Sequence, residues 1–117
     1  MSFDEDDDAE KRRVAHSAAR ARARDIDRSN SLLFGLSDPR GRQMAWDWLA
    51  RCGVLSASFD RDPGKMAFNE GRRDVGLWML AQFETHRPGV FALMQAEHEA
   101  REQRYEAIPE PELENEE

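Results

Sequence analysis

The chain has 117 residues, a net charge of -7, and 35% charged against 39% hydrophobic residues. This length fits at most one domain, and removing the charged ends leaves about 75 residues to build a core. The single cysteine, Cys52, excludes an intramolecular disulfide. Uncharged runs are far shorter than the roughly 18–20 apolar residues of a membrane helix, and no basic start leads into an apolar stretch. We therefore expect no membrane span, no membrane partner and no signal peptide.

Charge is distributed in blocks along the chain. Residues 1–10 carry six acids and no base, residues 11–28 carry seven bases and two acids, and residues 31–105 carry ten of each. From Glu106 onward there are six acids and no base. This pattern predicts an acidic tip and basic helical arm over 1–30, a helical domain over 31–106 and an acidic tail over 107–117. The acidic ends are expected to be disordered.

The arm is rich in Ala and Arg and has no Gly or Pro between Asp4 and Ser31, which predicts a helix. Its apolar side is mainly Ala, so the helix should be marginal alone and firmer against a partner. On another face four arginines form a stripe: Arg13, Arg20, Arg24 and Arg28. Two interpretations stay open, because the stripe either contacts only water and the acidic tip or docks on phosphates or an acidic protein surface.

The first helix of the domain has clear end signals. After the apolar run 32–36, which we expect to pack as a helical turn against the domain, Asp38 can cap a helix and Pro39 suits its first turn. Gly53 is placed to end that helix in a left-handed conformation. One arc of the helix is predicted to be buried, and it contains Met44, Ala45, Trp48, Leu49 and Cys52.

Residues 54–62 are predicted to form an ordered connection anchored by Val54, Leu55 and Phe59, and its acids do not fit a calcium loop. A second helix is predicted over 65–86, with an inner face formed by Phe68, Val75, Met79 and Phe83. A third is predicted from Pro88 to about Ala107, with an inner or bordering face formed by Val90, Phe91, Met94, His98, Arg101 and Tyr105.

Arg72 falls inside the apolar arc of the second helix, where an isolated charge costs several kcal/mol. We expect it to form a structural ion pair with Asp47 or Glu97. The alternative is a recessed anion contact, with Arg73 beside it on the rim as a partner-binding residue. Gly71 and Gly76 each weaken a helix interior by about 1 kcal/mol, so close approach of another helix or a Trp ring is expected there.

No catalytic or metal-binding constellation is evident. His98 is expected to be a packing residue, and the three histidines do not have metal-ligand spacing with one another or with Cys52. We therefore predict no enzyme activity, no metal and no cofactor. The residues define a small all-α protein, a three-helix module with an N-terminal helical arm.

The middle of the chain resembles a family of small proteins of tailed bacteriophages that is named after a Bordetella phage member. The resemblance covers Gly41 to Glu97 and lies in "GRQMAWDWLARCGV", Phe59, "MAFNEGRRDVGL", Pro88, Phe91, Met94 and Glu97. The segment "EGRRDVGL" is its most specific part. The resemblance implies a phage particle or assembly context and brings no catalytic residues.

Two functions follow as expectations. The first is a virion structural or assembly accessory protein whose charged arms dock on the portal, the connector, the capsid interior or ejected proteins. The second is a small nucleic-acid-binding protein whose Arg stripe contacts backbone phosphate. The expected locations are the virion and, during assembly, the host cytoplasm, and self-association in the particle is a further expectation.

Overall fold

The computed structural model describes residues 3–113, which form four helices and no strand. The helices are α1 (Phe3–Ser37), α2 (Pro39–Arg51), α3 (Pro63–His86) and α4 (Val90–Glu106). The prediction of an all-α protein is confirmed. The chain divides into two compact units, Met1–Phe34 and Gly35–Glu117, which we call the arm and the helical unit. Residues 114–117 of the predicted acidic tail lie outside the described residues, and the finer division at residues 30 and 106 stays a prediction.

Helix α1 is longer than the sequence predicted, because it runs without a break through Ser29 and Asn30 to Ser37. The acidic residues 4–10, which we expected to be disordered, form its first turns. Negative side chains are favourable there because they face the positive end of the helix dipole. Two ion pairs at helical spacing add to this, Asp7 with Lys11 and Glu10 with Arg13.

The ends of α2 form as predicted. The Asp38 carboxylate accepts a hydrogen bond from the Arg40 amide at 2.7 Å, and Pro39 occupies the first turn. After the helix, Gly53 has a φ of 79°, the left-handed conformation that favours glycine. The buried face was predicted less well. Ala45 and Leu49 are buried as expected.

The tryptophan on the buried face of α2 is Trp46, not Trp48. Trp46 is 5% exposed, whereas Trp48 is 52% exposed and Met44 is also exposed. The buried set follows helical spacing when Arg42 is included, since it consists of Arg42, Ala45, Trp46 and Leu49. The prediction that Trp48 lies in the core is therefore wrong.

The connection before α3 and α3 itself also differ from the prediction, both in where the helix begins and in which side chains are buried. Asp62 caps α3 by accepting from the Gly64 amide at 3.0 Å, so the helix begins at Pro63 rather than Lys65. Phe83 is buried as predicted, but other expected core residues of both segments are exposed. These are Leu55, Phe59, Phe68 and Val75.

Gly76 is buried where α3 packs against the residues that end and follow α2. A Cβ atom at Gly76 would lie 2.4 Å from Val54 Cγ2 and 2.7 Å from Cys52 Cβ. The close approach expected at Gly76 is therefore confirmed. The same expectation is wrong for Gly71, where a Cβ would have no neighbour within 4 Å.

Helix α4 completes the helical unit, in which α2, α3 and α4 contact one another pairwise. It begins at Val90 rather than Pro88, and its first amides are capped from α3. The Glu84 carboxylate accepts from the Gly89 amide at 2.9 Å and from the Phe91 amide at 2.8 Å. Val90 and Met94 are buried as predicted, whereas Tyr105 is exposed.

Candidate functional site

A polar cluster lies where α1 ends. Because Pro39 has no amide hydrogen, the last carbonyls of α1 cannot all find helical partners. Two guanidinium groups supply donors to the Leu36 carbonyl, Arg42 Nη1 at 3.0 Å and Arg87 Nη1 at 2.9 Å. The cluster therefore connects the end of α1 to α2 and to the residue that follows α3.

The same Arg42 forms the internal ion pair of the helical unit. Its Nε and Nη2 lie 2.8 and 2.7 Å from Glu97 Oε1 on α4. Arg42 is buried and Glu97 is half-buried, so the pair is shielded from solvent much more than a surface salt bridge. Arg72 was predicted to pair with Asp47 or Glu97, and this prediction is wrong. Arg72 is exposed and forms no ion pair within residues 3–113, and Glu97 pairs with Arg42 instead.

An aromatic cluster positions α4 against α2. The Trp46 ring lies 4.9 Å from the His98 ring, stacked at 28°, and 5.6 Å from the Phe91 ring. Aromatic contacts at these distances contribute about 0.5–1.5 kcal/mol beyond the area they bury. The prediction that His98 is a packing residue is confirmed. Because Glu97 and Arg101 flank His98 on α4, this packing also sets their position.

Next to this cluster, α2 and α4 enclose a groove of about 290 Å³. The first turns of α2 contribute Pro39, Arg40 and Gln43, and the second half of α4 contributes Glu97, Arg101 and Arg104. We call this the arginine groove. Its single carboxylate is already paired with Arg42, so three further guanidinium groups line it without a matching acid. The groove is therefore electropositive and suits an anionic group.

Arg101 is the unusual residue of the arginine groove. It is only 9% exposed, and it makes no hydrogen bond or ion pair with any residue in the range 3–113. Its guanidinium nitrogens are not among the fully buried atoms that lack a partner, so they reach solvent through the groove. Glu97 Oε2, by contrast, is fully buried and has no donor within the described chain. The groove thus offers unpaired donors to a molecule that enters it.

The four arginines of the predicted stripe all lie on α1 and are exposed. Arg13 pairs with Glu10 and Arg28 with Asp25 at 3.7 Å, so part of the stripe is neutralised within the arm. Arg20 and Arg24 form no ion pair within residues 3–113. Every residue from Glu10 to Arg28 is exposed, which leaves the stripe accessible to a partner.

Arg72 and Arg73 do not form the recessed anion contact considered as an alternative. The Arg72 guanidinium lies 5.7 Å from the centre of the Phe68 ring, a cation–π contact at the surface. Arg73 is half-buried, and its Nε has no hydrogen-bond partner in the part of the chain that is described. Its predicted role in partner binding stays a prediction.

Several large apolar side chains of α2 and α3 are exposed: Met44, Trp48, Phe68, Val75 and Trp78. Aromatic residues and Met are enriched at protein interfaces relative to the rest of the surface. All of these except Trp78 were predicted to form the core, and their exposure is the largest single difference between the predicted and the observed helical unit.

Residues 3–113 contain no group of three or more His, Cys, Asp or Glu side chains that could hold a metal ion. Within the same range no helix is both long and apolar enough to cross a membrane. Sequence reasoning placed Arg101 on the inner or bordering face of α4 but missed Arg40, Arg42 and Arg104. The available signal was a charged residue, Arg42, in helical register with Ala45 and Leu49.

These features define a small helical protein with a three-way packed helical unit, an exposed basic arm and an electropositive groove. Residues 33–96 match the family model of Bbp19-like phage proteins, and this is more than half of the chain. The chain belongs to that family, as its resemblance to a phage family implied. The match contains the aromatic cluster residues Trp46 and Phe91 but stops before Glu97, Arg101 and Arg104. No curated protein and no solved structure matches the chain.

Proposed function

We propose that this phage protein is a non-catalytic structural or assembly accessory protein that docks on a larger particle component through its charged arm. The components expected to bind it are the portal, the connector, the capsid interior or the ejection proteins. The observation that carries the proposal is the arm itself, in which every residue from Glu10 to Arg28 is exposed. A helical segment whose side chains are all exposed gains little stability alone, so contacts with a partner would account for its stripe.

The exposed apolar side chains support a protein partner. Trp48 and Trp78 lie on the helical unit, within the family match, and both are more than half exposed. Trp is one of the residues that dominate the energy of protein interfaces. In this proposal the arm and the helical unit both contribute to docking, and the three-helix module holds the apolar residues in place.

The experiment is incorporation into particles of the phage that encodes the chain, measured by mass spectrometry of purified particles. Replacing Arg13, Arg20, Arg24 and Arg28 together with Glu should abolish incorporation while the far-UV circular dichroism of the helical unit is retained. A sharper pair of variants changes two charges each. Replacing Arg20 and Arg24 with Glu removes the unpaired part of the stripe. Replacing Arg12 and Arg22 with Glu is the matched control, because it changes two exposed arginines that lie off the stripe. Equal incorporation of both double variants would contradict docking through the stripe.

The alternative is binding of DNA by the same stripe, which is favoured by the two unpaired arginines Arg20 and Arg24. Residues 31–105 argue against it, because they carry ten acids and ten bases and separate α2 from α3 by residues 52–62. This connection is much longer than the turn of about 3–4 residues in a helix-turn-helix motif. A salt titration distinguishes the two functions, since phosphate binding weakens steeply as salt is added. Tight, salt-sensitive DNA binding together with absence from particles would favour the alternative.

A further inference from the structure

The arginine groove carries an inference that does not depend on docking to a phage particle. Arg101 is nine-tenths buried, lines the groove and has no partner within residues 3–113. Its guanidinium nitrogens reach solvent through the groove, where they can donate charge-assisted hydrogen bonds to an anion. Arg40 and Arg104 lie on the two sides of the same groove, at the positive end of α2 and on α4. The geometry therefore calls for a ligand with carboxylate or phosphate groups.

The chain itself contains two acidic segments, and they differ in availability. In the N-terminal segment, Asp7 and Glu10 pair with bases of the same helix. The C-terminal segment has six acids from Glu106 onward and no base. Its residues 109–113 form no helix or strand and are exposed. The C-terminal segment thus contains no base, and its residues 106–113 form no ion pair within the described range.

We propose that the arginine groove binds the acidic tail, residues 106–117, of a second copy of the chain. A second copy is favoured over the same copy by the position of the prolines. Arg101 and Arg104 lie on the last turns of α4, so a tail returning to its own groove would have to reverse direction. Pro109 and Pro111 favour an extended backbone in that segment, which directs the tail away from the end of α4.

The first test uses the full-length protein and a fluorescein-labelled peptide with the sequence of residues 106–117. The matched control peptide replaces its six Glu residues with Gln. We expect the acidic peptide to bind at least about tenfold more tightly than the control, because charge-assisted hydrogen bonds are lost. Arg101→Met and Arg104→Gln should each weaken binding by about tenfold. Arg61→Gln, which changes an exposed arginine outside the groove, should leave binding unchanged.

The second test separates ligand binding from a structural role of Arg101. Glu97 precedes Arg101 by four residues, a spacing at which Glu and Arg stabilise a helix by pairing. If Arg101 served Glu97 in this way, Arg101→Met would lower the thermal unfolding midpoint. If Arg101 instead binds a ligand, we expect the thermal unfolding midpoint of the Arg101→Met protein to stay the same or rise.

Sedimentation velocity over a range of protein concentrations tests whether the protein binds a second copy of itself. The wild-type protein should associate as concentration rises, and Arg101→Met should stay monomeric. A lower midpoint in Arg101→Met, equal binding of the two peptides, or a wild-type protein that is monomeric at all concentrations would each overturn the proposal. DNA that displaces the acidic peptide from the groove, with Arg101→Met removing DNA binding, would assign the groove to phosphate instead.

Discussion

Trp46 is the largest side chain in the core of the helical unit, and it contacts both ring partners on α4, Phe91 and His98. Trp46→Ala should lower the free energy of unfolding by about 3–5 kcal/mol, because it removes buried area and leaves a cavity. Trp48→Ala should change it by about 0.5 kcal/mol or less, since Trp48 is half exposed to solvent. Urea denaturation followed by circular dichroism measures both variants.

A loss of several kcal/mol is large for so small a core, so Trp46→Ala alone risks a protein that does not fold. Trp46→Phe retains an aromatic ring against His98 and should remain folded with a smaller loss, about 1–3 kcal/mol. The prediction is that the Trp46→Phe protein has a lower free energy of unfolding than the Trp48→Ala protein. A Trp48→Ala protein less stable than the Trp46→Phe protein would contradict the placement of Trp46 in the core.

The choice between these two tryptophans shows where residue-level prediction fails. Both fit an arc on α2 that contains Ala45 and Leu49, the first arc joining Trp48 to Met44 and the second joining Trp46 to Arg42. The second arc includes Arg42, and a charged residue counts against burial when only spacing is considered. Its burial depends on Glu97, 55 positions further along the chain, and on the Leu36 carbonyl. Neither partner can be read from the pattern of α2 alone.

Between elements, the decisive contact is the approach of α3 to the end of α2 at Gly76. Gly76→Ala should destabilise the protein by about 1–3 kcal/mol, because the added Cβ would overlap Val54 and Cys52. Gly71 on the same helix is the matched control. Gly71→Ala should stabilise the protein by about 0.5–1 kcal/mol, since it improves helix propensity and meets nothing within 4 Å.

The two alanine variants carry the same chemical change on the same helix, so their difference isolates the packing. Thermal unfolding of both proteins against the wild type provides the measurement. If Gly76→Ala raised the unfolding midpoint as much as Gly71→Ala, the close contact between α2 and α3 at this point would be refuted.

At the level of whole elements, local signals predicted much of the fold. Asp38, Pro39 and Gly53 gave the ends of α2 because capping depends on neighbouring residues only. Arrangements between elements were not predictable in the same way. Glu84 caps α4 from another helix, and the arginine groove exists because Arg40 and Arg101 meet across α2 and α4. The candidate site was therefore only partly visible, as Arg101 on an inner face.

Over the whole molecule, the buried residues and the strongly charged segments occupy different parts of the chain. The buried residues begin at Leu36 and end at Arg101, all within the helical unit. The acidic tip, the basic stripe and the acidic tail lie outside that interval and remain exposed where they are described. Charged segments of this kind contribute little to folding free energy, because exposed ion pairs are worth about 0–1 kcal/mol.

This separation predicts the effect of removing residues 1–28. The shortened protein should lose far-UV helical signal in proportion to the missing turns of α1, yet its thermal unfolding midpoint should shift by less than about 4 °C. The reason is that the deleted segment buries almost none of its side chains, so its loss removes almost no hydrophobic stabilisation. Circular dichroism during heating measures both quantities in one sample. A fall of the midpoint by about 8 °C or more would mean that the arm stabilises the fold, and the arginine stripe would then have a structural role rather than one in binding a partner.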